Sequence, residues 1–160
     1  MKLSISKDQS GQTIIEVLIA TGVIALVMTA VAAGLTLSVQ NSSQAKYRAL
    51  ATKMAQESNE LFRRERDRLG WESFYEVLQA DGVLVTYCIG ETIPATTQDF
   101  IDLSAGACGG GFPFAGTSYE RETTVELVSA DLVRVETDVT WTDGTRERSV
   151  VLTQELQDWR

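Results

Sequence analysis

The segment Gly11-Gln12-Thr13-Ile14-Ile15-Glu16-Val17-Leu18-Ile19-Ala20 decides how the rest of the chain is understood. It places one acid, Glu16, five residues after a glycine and directly before the 23 uncharged residues from Val17 to Val39. A helix of that length spans about 34 Å, enough to cross a hydrocarbon core of about 30 Å. A carboxylate at the edge of such a segment costs about 3 kcal/mol to insert, so Glu16 is predicted to have a function and a partner.

This segment resembles the class III signal of type IV pilins and type II secretion pseudopilins. In that family a short basic leader ends in a glycine, a prepilin peptidase cuts after it, and a glutamate follows five residues later. Gly11 matches the cleavage glycine and Glu16 matches the acid, whereas Gln12 departs from the apolar residue that the family prefers. The resemblance implies leader cleavage between Gly11 and Gln12, N-methylation of Gln12, and filament assembly through Glu16.

The resemblance also implies where the chain resides and what it contacts. Residues 1–11 would be the cleaved leader, and residues 12–39 the transmembrane and filament-core helix. The implied partners are other pilin or pseudopilin subunits, the prepilin peptidase, an inner-membrane assembly platform and the membrane itself. Because Lys2 and Lys7 precede the span, we expect a single-pass inner-membrane protein with its C-terminal domain outside the cytoplasm. Its final place would be a pilus on the cell surface or a periplasmic filament.

The N-terminus is also compatible with two simpler kinds of segment. A secretory signal peptide also joins a basic start to an apolar core, and Ala30-Val31-Ala32 could serve as its small-residue cleavage site. A plain single-span anchor is the second. The signal peptide would place Glu16 inside its apolar core, and both leave the spacing from Gly11 to Glu16 as a coincidence. The alternative function is therefore an exported or membrane-anchored binding domain.

The helical pattern continues beyond the apolar span. Residues 40–68 contain neither Gly nor Pro, and apolar side chains recur there at helical spacings: Tyr47, Leu50, Ala51, Met54, Leu61, Phe62 and Leu69. We predict an amphipathic continuation over residues 40–69 that lies against a domain and ends at Gly70 in a left-handed conformation. The basic cluster from Arg63 to Arg68 is predicted to be a solvated face with ion pairs along the helix.

Residues 70–160 are predicted to form an extracytoplasmic α+β head. Trp71 to Ala80 is typical of a short helix, alternating apolar residues begin a strand at Val83, and the last forty residues read as three strands. The predicted fold class is α+β: a long N-terminal helix, half in the membrane and half amphipathic, packed on a small four-stranded antiparallel sheet. The ending, with Asp143-Gly144 in a hairpin turn, is similar to that of minor pilins.

Two cysteines bracket an irregular segment that holds both prolines, Pro94 and Pro113. Cys88 and Cys108 cannot complete a structural zinc site without histidine, because such a site takes four ligands. A disulfide closing the loop 88–108 is the preferred interpretation, and two reduced buried thiols are the alternative. The bridge would stabilise the fold by about 3 kcal/mol and requires an oxidising compartment.

Composition argues against several function classes. The formal net charge is −8, and −9 remains after Gly11, which disfavours nucleic-acid binding because that relies on Lys and Arg. The chain has no histidine, and the glycine run at 109–111 lacks the Lys-Ser or Lys-Thr of a phosphate loop. Asp99 and Asp102 could help bind Ca²⁺, but solvated acids account for them better. The sequence thus predicts a structural subunit with no catalytic residue, cofactor or metal, most similar to a minor pilin or pseudopilin.

Overall fold

The computed structural model describes residues 10–109 and 119–158, with side chains described from Thr13 onward. The helices are α1 (Ser10–Leu69), α2 (Trp71–Asp81) and α3 (Thr97–Ile101), and the strands are β1 (Leu84–Cys88), β2 (Tyr119–Ser129), β3 (Leu132–Asp143) and β4 (Arg146–Gln157). The chain divides into two compact units, residues 1–45 and 46–160. Most of the predicted leader, Pro113 and the closing residues Trp159 and Arg160 lie outside the described part.

The first unit contains the N-terminal part of α1. Every described side chain from Thr13 to Ala45 is exposed. The helix is long and apolar enough to cross a membrane, with a mean hydropathy of 2.5 in its most apolar window. None of the described residues of this unit contributes to a hydrophobic core. A helix that is apolar on all sides is typical of a segment that is buried in a membrane or among other helices.

The second unit comprises the predicted head and the 46–69 part of α1, and from here on we call this whole unit the head. It is built on one antiparallel sheet with strand order β1-β2-β3-β4. Val125 pairs with Val85 on one side and with Val135 on the other, and Val139 pairs with Val150. Alternation along the strands puts apolar side chains on one face, which the 46–69 part of α1 covers. The predicted α+β fold, a long helix packed on a four-stranded antiparallel sheet, is confirmed.

Two clusters of buried side chains join the helices to the sheet. The larger cluster contains Leu61 and Phe62 of α1, Phe74 of α2 and Val135 of β3, with Phe100 of α3 packed edge-on to Phe62. The smaller cluster contains Ala51, Met54 and Ala55 from α1 with Tyr119, Val139 and Trp141 from the sheet. Of the predicted apolar positions, those from Ala51 to Phe62 are buried, whereas Tyr47 and Leu50 are 43% and 39% exposed.

Four local predictions need correction. Gly70 ends α1 with φ 76° and ψ 161°, outside the left-handed helical region, although the positive φ still favours glycine. The hairpin turn is Gly144-Thr145, since Asp143 still pairs with Arg146. The irregular segment contains α3, whose capping box is formed by Thr96 and Asp99. The prediction of a solvated face is wrong for Glu65, which is fully buried.

Candidate functional site

The residues at which the sequence predicts processing and assembly lie at the start of α1. Gly11 and Gln12 belong to its first turn, where backbone N–H groups have no partner within the helix. Glu16 is exposed, and the flanking Ile15 and Val17 are each 61% exposed. Within residues 10–109 and 119–158 Glu16 forms no ion pair. Its carboxylate therefore stands on an apolar helix surface and is open to a partner from another molecule.

Three threonines in the apolar span hydrogen-bond to their own helix. Thr21 donates from its hydroxyl to the carbonyl oxygen of Val17 at 2.9 Å, Thr29 donates to that of Leu26 at 2.9 Å, and Thr36 to that of Ala32 at 3.0 Å. Unbonded hydroxyls would be costly in hydrocarbon, so these contacts make the segment compatible with a lipid environment. A Cβ atom placed at Gly22 or Gly34 would meet nothing within 4 Å, which leaves both positions open to a neighbouring helix.

The head is joined internally by a buried cation that the sequence pattern did not single out. Arg121 on β2 is 1% exposed and donates to the carbonyl oxygens of Ile89 at 3.1 Å, Met54 at 3.0 Å and Gly90 at 2.5 Å. Glu57 lies 3.6 Å from the same guanidinium. Burial lowers the pKa of Arg121 to about 10, and the charge of Glu57 opposes that shift. One side chain thus ties α1 to the segment that follows β1.

A buried acid holds the same segment from the other end. Glu65 accepts hydrogen bonds from Arg64 at 3.0 Å, Arg68 at 3.2 Å and the Thr97 hydroxyl at 2.8 Å. Arg64 also donates to the carbonyl oxygen of Pro94 at 2.6 Å. These contacts fix α3 and the preceding loop on α1. The burial of Glu65 could have been predicted from its position, because Glu65 lies four residues from both Leu61 and Leu69, on the apolar side of the helix.

The predicted disulfide between Cys88 and Cys108 is present, with a Cα–Cα distance of 4.9 Å. The backbone N–H of Cys108 donates to Glu122 at 2.7 Å, and that of Gly106 donates to the carbonyl oxygen of Thr86. The Tyr87 hydroxyl donates to Asp81 at 2.7 Å, and burial together with that carboxylate raises the pKa of Tyr87. The loop 88–108 is therefore bound to the sheet by the disulfide and to α1 by the hydrogen bonds of Arg64 and Glu65.

The described part of the chain holds no group of three or more His, Cys, Asp or Glu residues suited to a metal ion. Asp99 caps α3, and the hydrogen bonds from Thr96 lower the pKa of its carboxyl. Asp102 accepts from Gln98. An open groove of about 920 Å³ beside α1 is lined by charges of both signs, among them Lys53, Glu57 and Arg63, and by apolar residues of β4 and the loop.

A comparison with protein families identifies a known motif at the N-terminus. Residues 6–32 match the prokaryotic N-terminal methylation motif, a segment that includes Gly11, Gln12 and Glu16. Comparisons with curated proteins and with solved structures found no match. The motif lies where the sequence resembles a class III signal, and the fold is the long helix and antiparallel sheet that this resemblance implies. The N-terminal segment therefore carries the methylation motif typical of type IV pilin-like prepilins, on a helix long and apolar enough to cross a membrane.

Proposed function

We propose that the chain is a structural subunit, a minor pilin or pseudopilin, of a type IV pilus or a type II secretion-like filament. The observation that carries this proposal is the methylation motif at residues 6–32, on a helix whose side chains from Thr13 to Ala45 are all exposed. So much apolar surface requires a covering outside the chain. The membrane covers it before assembly, and the helices of neighbouring subunits cover it afterwards.

Processing comes first in the proposed sequence of events. A prepilin peptidase cuts between Gly11 and Gln12 and releases the leader. Gln12 then carries a free amine, which is the substrate for methylation and remains positively charged. Cleavage in the first turn removes little of α1, because that turn contributes few helical hydrogen bonds.

Assembly then depends on one charge pair. The Glu16 carboxylate of an incoming subunit pairs with the Gln12 amine of a neighbour. At 4 Å two unit charges attract by about 1 kcal/mol in water and by about 4 kcal/mol at an effective dielectric constant of 20. That gain offsets an insertion cost of about 3 kcal/mol for the carboxylate. Because only one axial stagger brings the two groups together, the pair also sets the register between subunits.

The proposed location follows from the same elements. The head lies outside the cytoplasm, on the far side of the inner membrane from the leader, and an inner-membrane platform draws the subunit into the filament. The disulfide between Cys88 and Cys108 supports this orientation, since disulfides persist in oxidising compartments.

The first test is the N-terminal residue and intact mass of the protein recovered from membranes, with and without a prepilin peptidase. We expect a chain that begins at Gln12 and carries one added methyl group only when the peptidase is present. A chain beginning near Ala33 would instead identify a signal peptide and an exported binding domain. An uncut Met1 in the presence of the peptidase would identify a plain membrane anchor.

The second test concerns Glu16 itself. Glu16→Leu and Glu16→Gln should insert into the membrane as the native chain does, yet enter sheared filaments at least about tenfold less, since a lost charge pair in low dielectric exceeds 1.4 kcal/mol. Ile19→Leu, a neutral change on the same helix, is the matched control. Normal incorporation of Glu16→Leu would refute charge pairing as the basis of assembly.

A further inference from the structure

The face of the sheet that points away from α1 concentrates negative charge. Five carboxylates, which we call the acidic face, project from it on three strands: Glu120, Glu122, Glu136, Asp138 and Glu147. Glu122 pairs directly opposite Asp138, and like charges in that arrangement destabilise a sheet. Among the described positions of β2, β3 and β4 on this side, Arg134 is the one base, and Glu126 and Glu155 already bind it at 2.7 Å and 3.2 Å.

Hydrogen bonds within the chain reach only some of the carboxylate oxygens of the acidic face. Glu122 accepts the backbone N–H of Cys108, and Glu136 accepts the Thr153 hydroxyl at 3.2 Å. One carboxylate oxygen of Asp138 is buried without a hydrogen-bond partner among the described residues. Burial, followed by the charges of Glu122, Glu136 and Glu147, raises the pKa of Asp138 against a hydrogen bond from Ser149. Residues 110–118 contain no Lys or Arg that could neutralise the face.

A matching positive surface lies on α1 of the same head. Lys46, Arg48 and Lys53 are exposed, and no acid occurs between Val17 and Gln56. Lys53 lies 3.8 Å from Glu57, whereas Lys46 and Arg48 form no ion pair in the part of the chain that the structure describes. Charge is segregated along the chain: residues 46–68 carry a net +3 and residues 69–160 a net −11.

The two surfaces belong to opposite sides of the head. Ala51 and Met54, which lie beside the three bases in sequence, pack on Tyr119 and Trp141 of the apolar face of the sheet. The acidic face is on the other side of that sheet, so the bases and the carboxylates of one chain are separated by the sheet itself. Their complementarity can be used only between molecules.

We propose that the acidic face binds the segment Lys46–Lys53 of a second copy of this chain. The contact is heterologous, since each copy offers a different surface to each neighbour, and such contacts build open helical assemblies when the rotation between copies does not close a ring. The proposal rests on the proposed filament function and specifies how heads would meet there. The charges would orient the incoming head and select its partner, as complementary potentials do at protein interfaces.

The test is a charge exchange in the full-length chain. One variant reverses the face (Glu136→Lys with Glu147→Lys), a second reverses the segment (Lys46→Glu with Arg48→Glu), and a third combines them. Copies in filaments are cross-linked with a zero-length carbodiimide, and the yield of linked copies is measured. We expect each reversal to lower that yield about tenfold and the combined variant to recover most of the loss. Mass spectrometry of the native product should show links from Lys46 or Lys53 to carboxylates of the acidic face.

Other outcomes overturn the proposal. Loss in the segment variant alone, without recovery in the combined variant, would assign the bases to another occupant such as anionic lipid headgroups, which vesicle binding would reveal. If Glu16→Leu abolishes incorporation while neither reversal has any effect, the filament function stands and this contact is refuted. Should Glu16→Leu and the reversals all leave incorporation unchanged, both proposals fail.

Discussion

The two parts of α1 show how one continuous helix can serve two environments. Leu26 is 71% exposed, whereas Leu61 is 1% exposed, although both are leucines of the same helix. Residues 17–39 are apolar on nearly every side, and every described side chain from Thr13 to Ala45 is exposed. Residues 46–69 have an apolar face, which packs on the sheet, and a charged face, which is exposed. A helix segment that is apolar on all sides must be covered by other molecules, whereas an amphipathic segment indicates that its apolar face packs on another element of the same fold.

Polar groups differ between the two regions in the same way. In the apolar span, threonine hydroxyls bond to carbonyls one turn back in the same helix. In the head, polar side chains bond to distant elements: the Asn59 amide donates to the Leu152 carbonyl oxygen at 3.3 Å and accepts from the Thr137 hydroxyl at 2.8 Å. The threonine hydroxyls of the span thus find their partners within the helix, whereas the polar side chains of the head join separate elements to one another.

Removing the buried guanidinium of Arg121, which joins β2 to α1 and to the segment after β1, should have the largest effect on the stability of the head. Arg121→Met removes the donor to three carbonyl oxygens, two of them in buried contacts and one in a partly buried contact, and we expect it to lower the free energy of unfolding of the head by about 3–5 kcal/mol. Denaturant titration followed by tryptophan fluorescence measures this, because all three tryptophans, Trp71, Trp141 and Trp159, occur after residue 70 in the sequence.

Arg48→Met is the matched control for Arg121→Met, since Arg48 is exposed on α1. It should change head stability by less than about 0.5 kcal/mol. The effect of Arg121→Met should be equal at pH 6 and pH 8, because a base with its pKa lowered to about 10 is fully charged at both values. Equal stability of the two variants would contradict a structural role for the buried guanidinium.

A leucine pair tests the two parts of α1 directly. Leu61→Ala should destabilise the head by about 2–5 kcal/mol through lost burial and a cavity. Leu26→Ala, the same change in the apolar span, should leave the fluorescence transition within about 0.5 kcal/mol of the native value. Full-length protein in detergent allows both measurements under one condition. A large effect of Leu26→Ala on the head would show that the two regions are energetically coupled.

The disulfide should contribute less than these buried side chains but still measurably. Replacing both Cys88 and Cys108 by Ser should cost about 3 kcal/mol, because the closed loop of 20 residues regains freedom in the unfolded chain. Native protein treated with an alkylating agent without reductant should show no mass increase, and treatment after reduction should add two adducts. Alkylation of the unreduced protein would mean that the pairing is absent in the protein as isolated.

The helices and strands that could be predicted from the sequence are those whose apolar residues form a long run or recur at a regular helical or strand spacing. The apolar run after Glu16, the helical spacing of Leu50 to Phe62 and the alternation in the last forty residues each predicted an element that the structure contains. Arg121 and Glu65 were missed as buried residues because charged side chains are expected at the surface, although both occupy apolar-side positions. α3 is too short for periodicity, and only its capping box marks it.

The smallest expected effect concerns charge on the outer side of the sheet. Burial, and then the carboxylates of Glu122, Glu136 and Glu147, raise the pKa of Asp138, so the folded head holds this proton more tightly than the unfolded chain. The resulting stability is fully present below the unfolded pKa of about 3.9 and is lost as the pH rises through the folded pKa. Asp138→Asn should therefore stabilise the head at pH 7, by less than about 1 kcal/mol because solvent screens the site.

That gain should shrink as the pH falls through the raised pKa of the native Asp138 carboxyl, which becomes protonated there, and it should also shrink at high salt. Glu91→Gln, an exposed loop change, controls for the loss of one negative charge in general. If Asp138→Asn and Glu91→Gln shift the unfolding transition equally at every pH, the repulsion is a property of the whole acidic chain. If only Asp138→Asn shows the pH-dependent gain, the repulsion is confined to the carboxylates of the acidic face. A positively charged neighbour bound to that face would reduce this repulsion.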